Sequence, residues 1–138
     1  MRRLFLDSNV PIYAIGGASP YKEASVSVLA AAARGEVELH ASVEMVQEFL
    51  FHRMRRCSQT KALTQAKILS RAVVLHDFDA EVLRASFDMV EHYGMRGRDA
   101  VHAATAVTCG IPEIVTSDRD FESCHEVQRV APEEFLKG

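Results

Sequence analysis

Acidic residues stand at four places where the chain changes character. Asp7 directly follows the apolar run Leu4-Phe5-Leu6, and Asp118 follows Ile114-Val115-Thr116 after a single serine. Asp99 opens an amphipathic segment, and Glu44 and Glu48 lie just beyond the run Val37 to Ala41. Carboxylates that meet repel one another: two unit charges about 4 Å apart cost roughly 4 kcal/mol at an effective dielectric near 20. A tight cluster therefore requires a cation, a shared proton, or a geometry that keeps the acids apart. Hard oxygen donors with no sulfur among them suit magnesium or manganese over zinc. A metal held this way can activate a water and hold a phosphate oxygen. Phosphodiester hydrolysis is the chemistry that follows.

Convergence depends on the elements that carry these acids. Leu4 to Leu6 reads as a buried strand leaving for a helix, with Ser8 or Asn9 as cap and Pro11 in its first turn. A second helix is expected from Ser19, with Pro20 inside it, through Ala33, ending at Gly35. Val37 to Ala41 is the next strand, and Ser42 caps a helix with the apolar positions Val43, Val46, Leu50 and Met54. A helix at Thr60 to Arg71 and a strand at Val73 to Leu75 follow. Asp77 or Asp79 then caps a helix with Val82, Leu83, Phe87 and Val90 on its apolar face, ending near Gly94. The helix opening near Asp99 carries Ala100, Ala103, Ala104 and Val107 at i, i+3, i+4 and i+7, small enough to lie close to a sheet. Gly110 and Pro112 end it, Ile114 to Thr116 is a strand, Val127 to Val130 an edge strand, and Pro132 to Leu136 a short helix.

Strands alternating with helices predict a three-layer α/β/α sandwich with a four- or five-stranded parallel sheet, as one domain over residues 1–138. In such folds ligands sit beyond the carboxyl ends of the strands. Asp7 and Asp118 should emerge at that edge if the strand of Leu4 to Leu6 neighbours that of Ile114 to Thr116.

The composition, 48% hydrophobic and 25% charged, supplies a real core and argues against disorder. A net charge of -3 argues against a protein that holds nucleic acid by bulk charge, and leaves room for an enzyme. Cys57, Cys109 and Cys124 are odd in number and show no CxxC pairing, so reduced thiols are expected. The N-terminal apolar run is too short for a signal peptide, and no run could span a bilayer, so a cytoplasmic protein without a membrane role is expected.

Plainer readings exist for each acid. Asp7 and Asp99 also suit helix caps, and Asp118 suits a turn. On a helical wheel Glu48 falls beside Glu44, His52 and Arg55, off the stripe of Val43, Val46, Leu50 and Met54, as a solvated residue would. Periodicity does not choose between Glu44 and Glu48.

Taken in series, four pieces are specific. Asp7-Ser8-Asn9 after the first strand, Ser42 with Glu48 six positions on, Arg98-Asp99-Ala100-Val101-His102-Ala103-Ala104-Thr105-Ala106, and Ile114 to Phe121 with Thr116 and Asp118 together resemble the PIN domain. The chain looks most like the compact VapC-type toxins of toxin–antitoxin pairs, over essentially its whole length. The resemblance implies Asp7, Glu48, Asp99 and Asp118 as the acidic set, and its Ser42-to-Glu48 interval selects Glu48 over Glu44. It also implies Asp7 and Asp99 as direct metal ligands, Glu48 and Asp118 acting partly through bound waters, and Asn9 and Thr116 as polar support. Asp120 is a possible accessory acid. The implied activity is that of a magnesium-dependent endoribonuclease, with manganese as substitute, cleaving single-stranded or looped RNA to a 5′ phosphate and a 3′ hydroxyl. The implied partners are RNA and a cognate antitoxin that blocks the groove. Other magnesium-binding phosphoryl-transfer or signalling domains, and a non-catalytic binding module, are the alternatives.

Arg96 and Arg98, in the stretch before Asp99, are placed to steer a phosphate. The basic run His52-Arg53-Met54-Arg55-Arg56 reads first as a solvated face and second as an RNA contact. His102 shares a helix face with Asp99. No second histidine stands at a zinc spacing, so a packed or hydrogen-bonded histidine is expected. The helices at Tyr21 to Ala33 and Thr60 to Leu69 carry more apolar surface than one small core needs, which suits a homodimer.

Overall fold

A computed structural model describes residues 1–137. Five parallel strands form one sheet in the order β3-β2-β1-β4-β5: β1 Arg2–Leu6, β2 Val37–Ser42, β3 Val74–His76, β4 Glu113–Val115 and β5 Gln128–Val130. The helices are α1 Asn9–Ile15, α2 Lys22–Ala33, α3 Val43–Met54, α4 Gln59–Ala72, α5 Ala80–Tyr93 and α6 Gly97–Thr108, with 3₁₀ turns at Arg119–Ser123 and Pro132–Lys137. This is the expected three-layer architecture with the larger strand count. Among the described residues no helix is long and apolar enough to cross a membrane.

The period-two geometry of a strand decides the layers. Leu4 and Leu6 point to one face, where Val10 of α1, Val28 of α2, Met45 and Phe49 of α3, and Ala66 of α4 bury against them. Phe5 points to the other, against Val82 and Met89 of α5 and Ala100, Ala103 and Ala104 of α6. The alanines of α6 leave room for the helix to lie close to the strands.

The strand order reverses between β1 and β4: from β1 the chain steps outward to β2 and β3, then returns to β4 and β5 on the other side. Phe5 pairs with Ile114 and Leu6 with Val115, so the expected adjacency holds. Both strands end at this crossing, the place where open parallel sheets leave a crevice for ligands. Asp7 follows β1 there, and Thr116 to Asp118 follow β4.

Several local expectations shift. α2 begins at Lys22, after Pro20, and β3 and β5 each begin one residue later than the apolar runs suggest. Val43 and Met54 are exposed, and the inward face of α3 is Met45, Phe49 and Arg53. On α5 the inward residues are Val82, Ser86 and Met89, while Leu83, Phe87 and Val90 face out.

Candidate active site

Asp7 leaves β1 almost fully buried, and its carboxylate is held from three directions. Oδ1 accepts from the Ser8 N–H at 2.8 Å, and Oδ2 accepts from the Thr116 hydroxyl at 2.8 Å and the Asn9 amide at 3.2 Å. Thr116 Oγ1 in turn accepts from Asn9 Nδ2 at 2.9 Å and from the Asp118 N–H at 3.0 Å. A hydroxyl has one donor and two lone pairs, so Thr116 uses its full capacity. These bonds clamp β1 to β4 at the crossing. Burial pushes the Asp7 carboxyl up, against the opposing pull of His102, Thr116 and the Ser8 N–H.

Asp99 is the third residue of α6. Arg96 holds the N-cap position of that helix without a side-chain cap, so the capping reading of Asp99 does not describe it. Its carboxylate has no side-chain hydrogen bond among the described residues. The helix terminus favours an anion, yet burial and the charges of Asp7, Asp118 and Glu48 push Asp99 up to about 6, with His102 opposing. Those same charges place the four acids within electrostatic reach of one another.

Glu48 stands on the flank of α3, three residues after inward-facing Met45 and one before Phe49. Its side chain is 20% exposed and meets α6. Oε1 lies 3.1 Å from His102 Nε2, and Oε2 lies 3.6 Å from Arg98 Nη1. Burial works to raise Glu48, but His102, Arg98 and a Ser8 hydrogen bond prevail and hold it below its ordinary value. Asp118 caps the following 3₁₀ turn by accepting from the Asp120 N–H at 2.9 Å, so the turn-acid reading and the proximity to Asp99 both hold.

The sequence underweighted His102. It is fully buried, with Nε2 also 3.8 Å from Asp7 Oδ1. Burial works to lower it, but the Glu48 hydrogen bond and the charges of Asp7, Glu48 and Asp99 hold it above its ordinary value. The acids thus favour the charged form of His102, which would serve as their internal counter-charge. The signal was the i, i+3 spacing from Asp99. Ser8, expected only as a helix cap, makes no side-chain cap and instead donates to both Asp7 and Glu48. Arg98 reaches the site through Glu48, whereas Arg96 is exposed and has no ion pair among the described residues. Asp120 is exposed and is not among the charges acting on Asp99.

The donor set is carboxylate oxygen throughout, which fits a hard cation. Among the described residues no three His, Cys, Asp or Glu side chains surround one point at ligand distance. An ion held by one or two carboxylates that keeps its waters needs no closed cage of the zinc type.

Comparison with known proteins returns one family. The family model of the PIN domain matches residues 4–126. The ribonuclease VapC13 of Mycobacterium tuberculosis is 26% identical over 133 residues, covering 93% of this chain and 99% of the relative. Among solved structures, the VapBC2 complex of Rickettsia felis bound to a promoter DNA fragment aligns with a TM-score of 0.73 at 16% identity, over 94% of this chain and 98% of that one. VapC20 of Mycobacterium tuberculosis, described as a sarcin-ricin loop cleaving toxin, aligns with a TM-score of 0.71 at 19% identity, over 88% and 95%.

Proposed function

The chain belongs to the PIN domain family, and from that premise we propose that it is a magnesium-dependent endoribonuclease, the toxin of a VapBC-type pair. The feature that carries this reading is that Asp99 stands within electrostatic reach of Asp7, Glu48 and Asp118 beside the β1/β4 crossing, where burial and their charges lift it to about 6. Asp7 and Asp99 would hold the ion directly, with Glu48 and Asp118 reaching it through water. Such an ion lowers the pKa of a bound water and neutralises charge on a phosphate oxygen.

The remaining work falls to the chain's own residues. Thr116, Asn9 and the Ser8 N–H fix the orientation of Asp7, so that one ligand is in place before any ion arrives. Arg98 is 65% exposed beside Glu48, close enough to grip a phosphate oxygen of the strand. His102 holds Glu48 and balances the buried negative charge.

Partner surfaces accompany the site. A cleft of about 620 Å³ between α1, α2 and α4, lined by Ile15, Val26, Leu29, Ile68 and Leu69, is apolar and starts from the helix that carries Asn9. It suits the antitoxin segment, since an occupant there reaches the acids along α1. A second copy of the chain finds exposed apolar surface on the same helices, at Val26, Leu63 and Ile68. A cytoplasmic setting follows from an RNA substrate and from three cysteines that all stand free.

The purified protein should cut single-stranded RNA with magnesium or manganese, leave 5′ phosphates, and stop with EDTA. Undiminished cleavage by both Asp7→Asn and Asp99→Asn would reject the assignment.

A further inference from the structure

A second cleft, of about 540 Å³, lies between the end of α1 and the end of α3. One wall is apolar and aromatic, from Ile12 and Tyr13 to the Gly16-Gly17 turn; the other is His52, Arg53 and Arg56. Its size is within the range of small-molecule sites. We propose that this cleft is a subsite for a nucleotide of the RNA flanking the scissile phosphate, with Tyr13 stacking on the base and Arg56 contacting a phosphate.

Helical spacing joins the cleft to the acids. Residues four apart on a helix share a face. On α1, Asn9 supports Asp7, and Tyr13 follows one turn on. On α3, Glu48 stands among the acids, and His52 follows one turn on, with Arg56 just past the helix end. Eight residues at about 1.5 Å each separate Glu48 from Arg56 by roughly 12 Å. A nucleic-acid strand covers that in roughly four nucleotides, even at the duplex rise of about 3.4 Å. A strand whose scissile phosphate meets the acids thus has a walled path between the two helices.

The charge of the cleft fits a phosphate. Arg56 is exposed, and its one hydrogen bond among the described residues runs from Nη1 to the His52 carbonyl at 3.2 Å, so it is folded back along the helix end with no carboxylate partner. Arg53 is buried and fixed by Gln65 at 2.9 Å. Burial, and after it the positive charges of Arg56, Arg53 and Arg55, hold His52 below its ordinary value. The apolar wall is equally prepared: the Tyr13 ring packs 4.8 Å from that of Tyr21, and Lys22 ties down the turn through the Gly16 carbonyl. A fixed aromatic ring beside arginines is the common equipment of single-strand recognition. An acidic protein segment would also answer the arginines, but it would leave RNA affinity independent of Tyr13 and Arg56.

This inference rests on the ribonuclease reading, and its test separates the two. Binding of a fluorescently labelled single-stranded RNA is measured in EDTA over a series of salt concentrations, for the wild type, Arg56→Ala, Arg56→Glu and Tyr13→Leu. Arg56→Ala should reduce the slope of log affinity against log salt by about 0.7, the loss of one phosphate contact on a single strand. Arg56→Glu and Tyr13→Leu should each weaken binding about tenfold. Wild-type slope and affinity in every variant would overturn the subsite, whether or not RNA is cut. Arg56-dependent binding by a protein that cuts nothing in either metal would keep the subsite and reject the ribonuclease. No RNA binding by the wild type would overturn the subsite.

Discussion

The two halves of the acidic site are held by opposite means. At the strand ends, each oxygen of Asp7 has a donor, supplied by Ser8, Asn9 and Thr116. At the start of α6, Asp99 has no such donors, is half-buried, and is lifted to about 6 by that burial and by its acidic neighbours. The first half is ordered by the protein alone. The second is left under like-charge strain, which a cation relieves and a hydrogen bond does not. Order in one half and strain in the other is what the proposed metal site would require.

The largest expected effect is on turnover. Asp99→Asn or Asp7→Asn should lower RNA cleavage by about a thousandfold or more, since each removes charge where the ion and the phosphate meet. Thr116→Val keeps shape but strips three hydrogen bonds from the strand half. It should cost roughly 10–100-fold in activity through misplacement of Asp7. It should also lower the melting temperature, because buried partners lose their bond at about 1–3 kcal/mol. An active, fully stable Thr116→Val would erase the contrast between the halves.

The pH dependence should report the strained half. Asp99 is ionised only above about 6, so kcat/KM at fixed, subsaturating magnesium should fall about tenfold per pH unit below that value and level off above it. An acid limb near the ordinary aspartate value of about 3.9 would place Asp99 outside the cluster.

The smallest effect, and the one that best sharpens the contrast, is on metal-free stability. With a folded pKa of about 6 against an ordinary 3.8, Asp99 binds more protons in the folded state between those values. Stability without metal should therefore fall as pH rises through that window. Asp99→Asn should remove this fall and raise the apo melting temperature at pH 7 by about 2–4 °C, scaled down because the group is partly exposed. Thr116→Val moves it the other way. A melting temperature lowered by Asp99→Asn would make the residue a structural cap after all.

Much of this was legible in the residues. Apolar runs ending in an acid gave Asp7 and Asp118 their places, because a strand's end in a parallel sheet is also the ligand edge. Small residues at i, i+3, i+4 and i+7 marked α6 as the helix closest to the strands. Glu48 was not legible from periodicity, because the wheel took Val43 and Met54 for core. Both lie at helix ends beyond the sheet's cover, so tertiary packing, centred on Met45 and Phe49, turns the inward face toward Glu48. The bond between His102 and Glu48 joins residues 54 apart in sequence, and no local pattern carries such a contact. On α5, Leu83, Phe87 and Val90 obeyed helical spacing yet face out, because Ser86 takes the inward line with Val82 and Met89.

The most direct test of the whole is a titration of EDTA-stripped protein with manganese at pH 7, followed by electron paramagnetic resonance of the free ion. Wild type should take up manganese and Asp99→Asn should take up almost none, while both remain folded. No uptake by the wild type, even with a non-cleavable RNA present, would contradict the claim that these carboxylates meet to hold a divalent ion.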